Sequence, residues 1–341
     1  MVFHLISMFF HALEPGRRLS LNRKGHGEPL HPPPPKSFGP WKLISKTEGL
    51  YSFCMTHYIH NINPIILQFS DKLAIRWYGI SYLLGFLACI LLMRNWSKKG
   101  EFEVPEAEVS NFVVMLALFG VFLGGRLGYV LLYGLDSFLE DPRYIYQVWE
   151  GGMASHGGFI GVILVILWYA KKHHHSFWNL TDNMACATSL GLAFGRLANF
   201  VNGELWGRAT NVKWGVVFPQ EAGLHYGQYD PAFIQKLVEA GELTVRHPSQ
   251  LYQAFGEGFL VFGLMLLLRH TPWGKRPGAL SAAYLALYAL ARISMEFFRE
   301  PDNGAFFIGW ITKGQFYSAL MILGAVAIAW KKGLLKNPAA S

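Results

Sequence analysis

Charged side chains are scarce in this chain. Asp, Glu, Lys and Arg make up 15% of its 341 residues, against about a quarter in a soluble domain. With apolar residues at 52% and a mean hydropathy of +0.24, that deficit argues against a soluble enzyme. Cysteine is nearly missing. Cys54, Cys89 and Cys186 show no CxxC or metal-ligand spacing, which excludes a disulfide framework and a thiolate metal site. There is no Walker loop and no GxSxG elbow, so nucleotide hydrolysis and serine-esterase chemistry lack their usual marks. A net charge of +8 could suggest a nucleic-acid partner, but the basic residues fall in short clusters between apolar runs. Membrane topology explains that pattern better than a binding stripe does, and no nucleic acid is expected.

What the chain does have is long apolar runs. Seven, near 75–93, 110–133, 155–171, 179–201, 249–270, 279–298 and 312–331, approach the roughly 20 residues that a membrane helix needs. The expected fold is an all-α polytopic membrane protein of seven transmembrane helices, with a small mixed head between the fourth and fifth. That head, about 202–248, holds a strand-like Lys213–Phe218 and a helix-like Pro231–Ala240 closed by Gly241, a start and stop pattern with physical meaning. Phe, Trp and Tyr reach 15%, enough to furnish aromatic belts at the two interfaces.

Lys and Arg counts orient the bundle. One set of loops carries eleven (Arg94, Lys98, Lys99, Lys171, Lys172, Arg269, Lys275, Arg276, Lys331, Lys332 and Lys336), whereas the short loops opposite carry Arg143, Arg299 and Lys313. The positive-inside rule then puts the C-terminus, with a tail at 336–341, in the cytoplasm. Seven spans turn Tyr78, the Arg196–Gly207 cluster and the head outward. Residues 1–54 fit this scheme badly. They carry seven Lys/Arg against three Glu on the side that wants few positives, and they include a His31–Pro35 linker. We read them as a disordered tail or as the product of a misplaced start codon, with Met55 as the alternative start and residues 55–335 as the folded domain.

Gly195–Gly207 says most about chemistry. It delivers Arg196, Asn199, Asn202 and Glu204 to the end of an apolar run, and an intramembrane Arg usually marks a substrate site or a buried partner. Arg196 and Asn199, at i and i+3, share one helix face. Tyr288, Arg292 and Glu296 recur at i, i+4 and i+8, again on one face. A structural Arg–Glu pair would explain them; so would an Arg fixed by Glu to grip a phosphate bidentately. Two arginines on separate helices would clamp one anionic headgroup. His156, followed by Gly157 and Gly158, is the outward-facing group suited to proton transfer near neutrality, although a hydrogen-bonded interfacial His is the commoner case. Arg126 divides evenly between a site role and a structural one, in which it snorkels or pairs with a carboxylate such as Glu257. His173–His175 reads as a solvated loop, with metal binding as the alternative. The glycine pairs 120/124, 124/128, 157/161 and 191/195 have the spacing of close helix contacts, and packing is their default.

The Gly195–Gly207 segment resembles the signature of the phosphatidylglycerol–prolipoprotein diacylglyceryl transferases. The resemblance extends through Ile75–Gly79, Phe122–Arg126, His156–Gly158, His247–Tyr252 and Glu296–Asp302, in order over about residues 60–335. Arg76 stands where some members carry a histidine and is assigned no role. The resemblance implies a multi-pass enzyme of the bacterial inner membrane, acting at its periplasmic face. It would move the diacylglyceryl group of phosphatidylglycerol onto the lipobox cysteine of a preprolipoprotein signal peptide, forming a thioether and releasing glycerol 1-phosphate. Membrane lipids would be its surroundings, with no cofactor or metal. Arg196, Asn199, Glu204, Gly207, Tyr78 and Glu296 would bind substrate; His156, Tyr288 and Arg292 would act on the reacting groups. The rival reading, a transporter or flippase of an anionic lipid, would favour inverted repeats, and no convincing repeat is present.

Overall fold

The computed structural model describes residues 57–69, 74–148, 151–300, 306–308 and 311–336; the 1–54 segment lies outside them. Helices stand at each of the seven expected positions. They are α1 (Trp77–Lys98), α2 (Glu106–Tyr133), α3 (Ser155–His173), α4 (Phe177–Asn202), then, beyond the insert helix α5 (Pro231–Glu239), α6 (Ser249–Arg269), α7 (Ala279–Glu296) and α8 (Lys313–Lys331). Of these, α1, α2, α4 and α6 are long and apolar enough to cross a membrane. Their boundaries follow local chemistry. Pro105 and two glutamates open α2, and Lys171 to His173 close α3, each charge matching its end of the helix dipole. Gly203 ends α4 at φ 66°, where a side chain would be strained. Thr312 and Gln315 form a reciprocal capping box on α8.

The burial pattern is that of a membrane protein. Leu83, Leu87, Leu91, Leu118 and Phe119 point outward, while Ser189, Arg196, Asn199, Gln250, Gln253 and Glu257 are buried. Lipid can cover the apolar faces, but polar groups at that depth need protein partners. Glycine permits a close helix crossing. A Cβ built on Gly124 would lie 2.7 Å from the Gly157 carbonyl oxygen, and one on Gly128 would lie 2.5 Å from the Gly157 Cα. Backbone meets backbone there, fixing α3 against α2. Gly191 likewise faces Gly85, but a Cβ on Gly195 would meet nothing within 4 Å, so this glycine is not a packing contact.

The insert forms a three-stranded sheet. Val216–Val217 pairs in parallel with Tyr58–Ile59 and antiparallel with Val245–Arg246. Only two residues of the expected Lys213–Phe218 strand, Val216 and Val217, pair in the sheet, and the first strand comes from before α1. Beneath the sheet, Val217, Ile234 and Leu243 bury the apolar face of α5. At the other end of the bundle Glu101 pairs with Arg269 at 2.9 Å, and Arg269 lies over the Trp96 ring.

Candidate active site

Arg196 sits near the end of α4 with 3% of its surface exposed, and its Nη2 lies 3.2 Å from Oε2 of Glu257 on α6. The other oxygen of Glu257, Oε1, is 3.3 Å from Nη1 of Arg292 on α7. Arg292 reaches on to Glu296 at 2.8 Å, one turn along its own helix. Three helices therefore join in one chain of charge, Arg196–Glu257–Arg292–Glu296. Glu257 is fully buried, and a buried carboxylate is tolerated only when paired this completely. Local sequence explains its position. Gly256 and Gly258 flank it inside a π-helical stretch, Ala254–Leu260. A Cβ on Gly258 would press on Ala193, and one on Gly256 would touch Met295. The glycines let α6 wedge between α4 and α7, with the carboxylate midway.

The turn after α4 forms the second part of the site. The Glu204 side chain accepts from Asn199 at 2.8 Å and from Asn202 at 3.3 Å. Gln250 of α6 donates to the Glu204 carbonyl at 2.7 Å, and Ser249 to that of Leu205 at 3.1 Å. Leu205 itself holds a left-handed φ of 56°, uncommon for a branched side chain and tolerated because its neighbours pin the turn. Below it, the Gln220 side chain lies against Gly203 and contacts Nδ1 of the buried His60 at 3.1 Å. Burial holds the His60 imidazole below its usual protonation range. The head thus buttresses the turn that carries Glu204.

The remaining expected residues take different stations. Tyr78 is buried on α1 against Tyr82 and Ala198, one residue before Asn199. Tyr288 lies one turn before Arg292 and stacks on Tyr284. His156 packs on Tyr317 with ring centroids 5.2 Å apart. Tyr317 lies about one turn into α8, just after Gly314, which stands beside both Arg292 and Glu296, so α8 links the imidazole to the ion-pair chain. Gly207 occupies a backbone junction. Its N–H donates to the His247 carbonyl at 2.9 Å, it bridges to Arg299, and a Cβ there would meet the Phe298 and His247 oxygens.

One expectation changes. Arg126 does not pair with Glu257; it donates to the carbonyls of Ile145, Gly151, Gly152, Gln147 and Tyr144, fastening the segment before α3. The two clamp arginines, in turn, share a carboxylate, so the resting site balances its charges. The residues that sequence reasoning passed over, Gln250, Gln253 and Glu257 as the bridge, all lie on α6. Their i, i+3, i+7 spacing in an apolar run marks a buried polar face.

Over residues 64–331 the chain matches the family described as prolipoprotein diacylglyceryl transferase. It is 40% identical to the phosphatidylglycerol–prolipoprotein diacylglyceryl transferase of Stenotrophomonas maltophilia, covering 78% of this chain and 90% of that one. The namesake from Photobacterium profundum is also 40% identical, over 79% of this chain and 93% of the relative. That of Sodalis glossinidius is 41% identical, over 81% and 96%. With its site assembled inside apolar helices, this chain belongs to the prolipoprotein diacylglyceryl transferase family, and it is a membrane-embedded diacylglyceryl transferase.

Proposed function

We propose that the protein transfers the diacylglyceryl group of phosphatidylglycerol to the lipobox cysteine of preprolipoproteins. The observation that carries this reading is the pair of arginines, Arg196 and Arg292, brought to one buried carboxylate beside the Glu204 turn. Charges exposed to a low-dielectric site act strongly on a phosphate. The cysteine thiol loses its proton to His156, directly or through water, because thiolate is the attacking species. A sulfur lone pair forms the S–C bond to the glyceryl carbon. The C–O bond breaks, and its electrons stay on the phosphate oxygen of departing glycerol 1-phosphate. Arg196 and Arg292 take up that charge, Glu296 orients Arg292, Tyr288 lies along the phosphate side and Tyr78 closes the site from α1. Asn199 and Glu204 shape the turn around the headgroup, and Gly207 holds it at the backbone junction.

Seven spans, a periplasmic site and head, and a cytoplasmic C-terminus in the inner membrane complete the reading. The Lys and Arg asymmetry of the loops supports it. The deciding experiment incubates the purified protein in nanodiscs with labelled phosphatidylglycerol and a lipobox peptide. Thioether-linked label on the peptide cysteine, with glycerol 1-phosphate released in equal amount, is expected. Movement of unmodified lipid without peptide labelling would replace the transferase reading with a transporter.

A further inference from the structure

Gln253 has no surface exposed, and among the described residues neither its amide nitrogen nor its amide oxygen has a hydrogen-bond partner. A buried amide left in that state is costly, because both its dipolar ends have lost water. The flanking contacts locate it. Three residues earlier Gln250 reaches the Glu204 carbonyl, and four residues later Glu257 joins Arg196 and Arg292. Gln253 therefore lies on the same face of α6, between the Glu204 turn and the arginine pair. The side-chain amide oxygen of Gln250, on that face too, is also buried without a partner among the described residues.

We infer that Gln253 recognises the free hydroxyls of the lipid's head glycerol, with Gln250 beside it. This rests on the transferase reading, and it names the part of the lipid that the arginines leave unread. A primary amide offers a donor and an acceptor side by side, the complement of a hydroxyl pair, and it carries no charge to compete with the phosphate. The spacing also fits. Four residues, roughly one turn of this part of α6, separate Gln253 from Glu257, and a head glycerol is ester-bonded directly to its phosphate. Gln253 would thus hold the leaving group rather than the acyl chains or the peptide. Sites built to hydrogen-bond a hydroxyl discriminate against ligands lacking it, because the protein groups are then left unpaired.

The test compares phosphatidylglycerol with phosphatidylmethanol, which keeps the phosphodiester charge and both acyl chains but has no head glycerol. The full-length protein and Gln253→Met, which keeps the side-chain volume, are placed in nanodiscs. Dissociation constants for both lipids and KM values for phosphatidylglycerol and a lipobox peptide are measured. The unmodified protein is expected to prefer phosphatidylglycerol by roughly ten-fold. In Gln253→Met that preference falls to near parity and KM for phosphatidylglycerol rises, while phosphatidylmethanol binding and peptide KM stay as they were. An unchanged lipid preference in Gln253→Met, or a rise confined to peptide KM, overturns the inference. So does equal binding of the two lipids by the unmodified protein, a readout that does not depend on the variant folding. Failure of the unmodified protein to label the peptide would instead remove the transferase reading.

Discussion

Asp182, on the helix that carries Arg196, caps the helix that carries Arg292 through Ser281. Its carboxylate accepts from the Ser281 N–H at 2.7 Å and hydroxyl at 2.6 Å, and from the Gly278 N–H at 2.7 Å. Ordinarily a cap comes from the residue preceding its own helix; here that residue is Gly278, which has no side chain to cap with, and α7 borrows its cap from α4. The same two helices meet again, near their other ends, across Glu257. A fastening at each end fixes how far apart the arginines stand.

Asp182→Ala is therefore expected to cost about 1–3 kcal/mol by orphaning the donors at Gly278 and Ser281. It should also lower turnover without touching the substrate. Thermal unfolding and peptide lipidation measured on the same preparation check this; full activity alongside full stability would show the cap to be idle.

Glu257→Leu should be more damaging. It leaves Arg196 buried without its bridging anion, and breaking such a pair costs about 3–5 kcal/mol. Glu257→Gln, which still accepts a hydrogen bond, should lie between Leu and the native residue in unfolding midpoint.

Arg196→Lys retains positive charge and loses the planar fork. Since charge-assisted hydrogen bonds contribute about 1.5–3 kcal/mol, lipidation should slow roughly ten- to hundred-fold. Near-normal rates for both Lys and Ala replacements at equal expression would contradict a phosphate role.

For His156 the informative variable is pH. If it accepts the thiol proton, its replacement by Gln should slow lipidation at equal expression, and raising the pH should restore part of the rate by ionising more thiol. A folded His156→Gln enzyme with an unchanged rate would overturn the proton-acceptor role.

Stability of the head should also depend on pH. The folded head holds His60 below its ordinary value of 6.5, so the unfolded chain binds the proton more readily. The contribution is complete above about pH 6.5 and is lost as pH falls towards the lowered folded value. Protection factors of the Val216 and Val217 amides, corrected for the intrinsic pH dependence of exchange, should fall on acidification, and His60→Phe should flatten that response.

The helix positions were legible because lipid-facing and buried apolar positions both demand the same residue types over about 20 residues. So were the polar landmarks on α4 and α7, since charge inside an apolar run is conspicuous. The partners of those charges were not. Sequence spacing relates residues within one helix, whereas Glu257 meets Arg196 across 61 positions and Arg292 across 35. Arg126 misled for a related reason: its partners are backbone carbonyls, which leave no trace in side-chain identity. The first strand of the head was hidden too, because two residues of extended chain have no periodicity to read.

The ion-pair chain also constrains how the protein is made. Arg196 and Glu257 lie on consecutive long apolar helices, and they cancel only once both have arrived. Each would enter the bilayer alone at a cost of up to about 2.5–3.5 kcal/mol, the insertion-scale value for Arg or Asp at a helix centre. During synthesis α4 emerges first, with the head still to be translated between it and α6. Arg196 must therefore wait at a water-accessible boundary, or beside the translocation machinery, until Glu257 follows. Removing the glutamate would then be felt at assembly, as poor membrane integration, before any lipid is met.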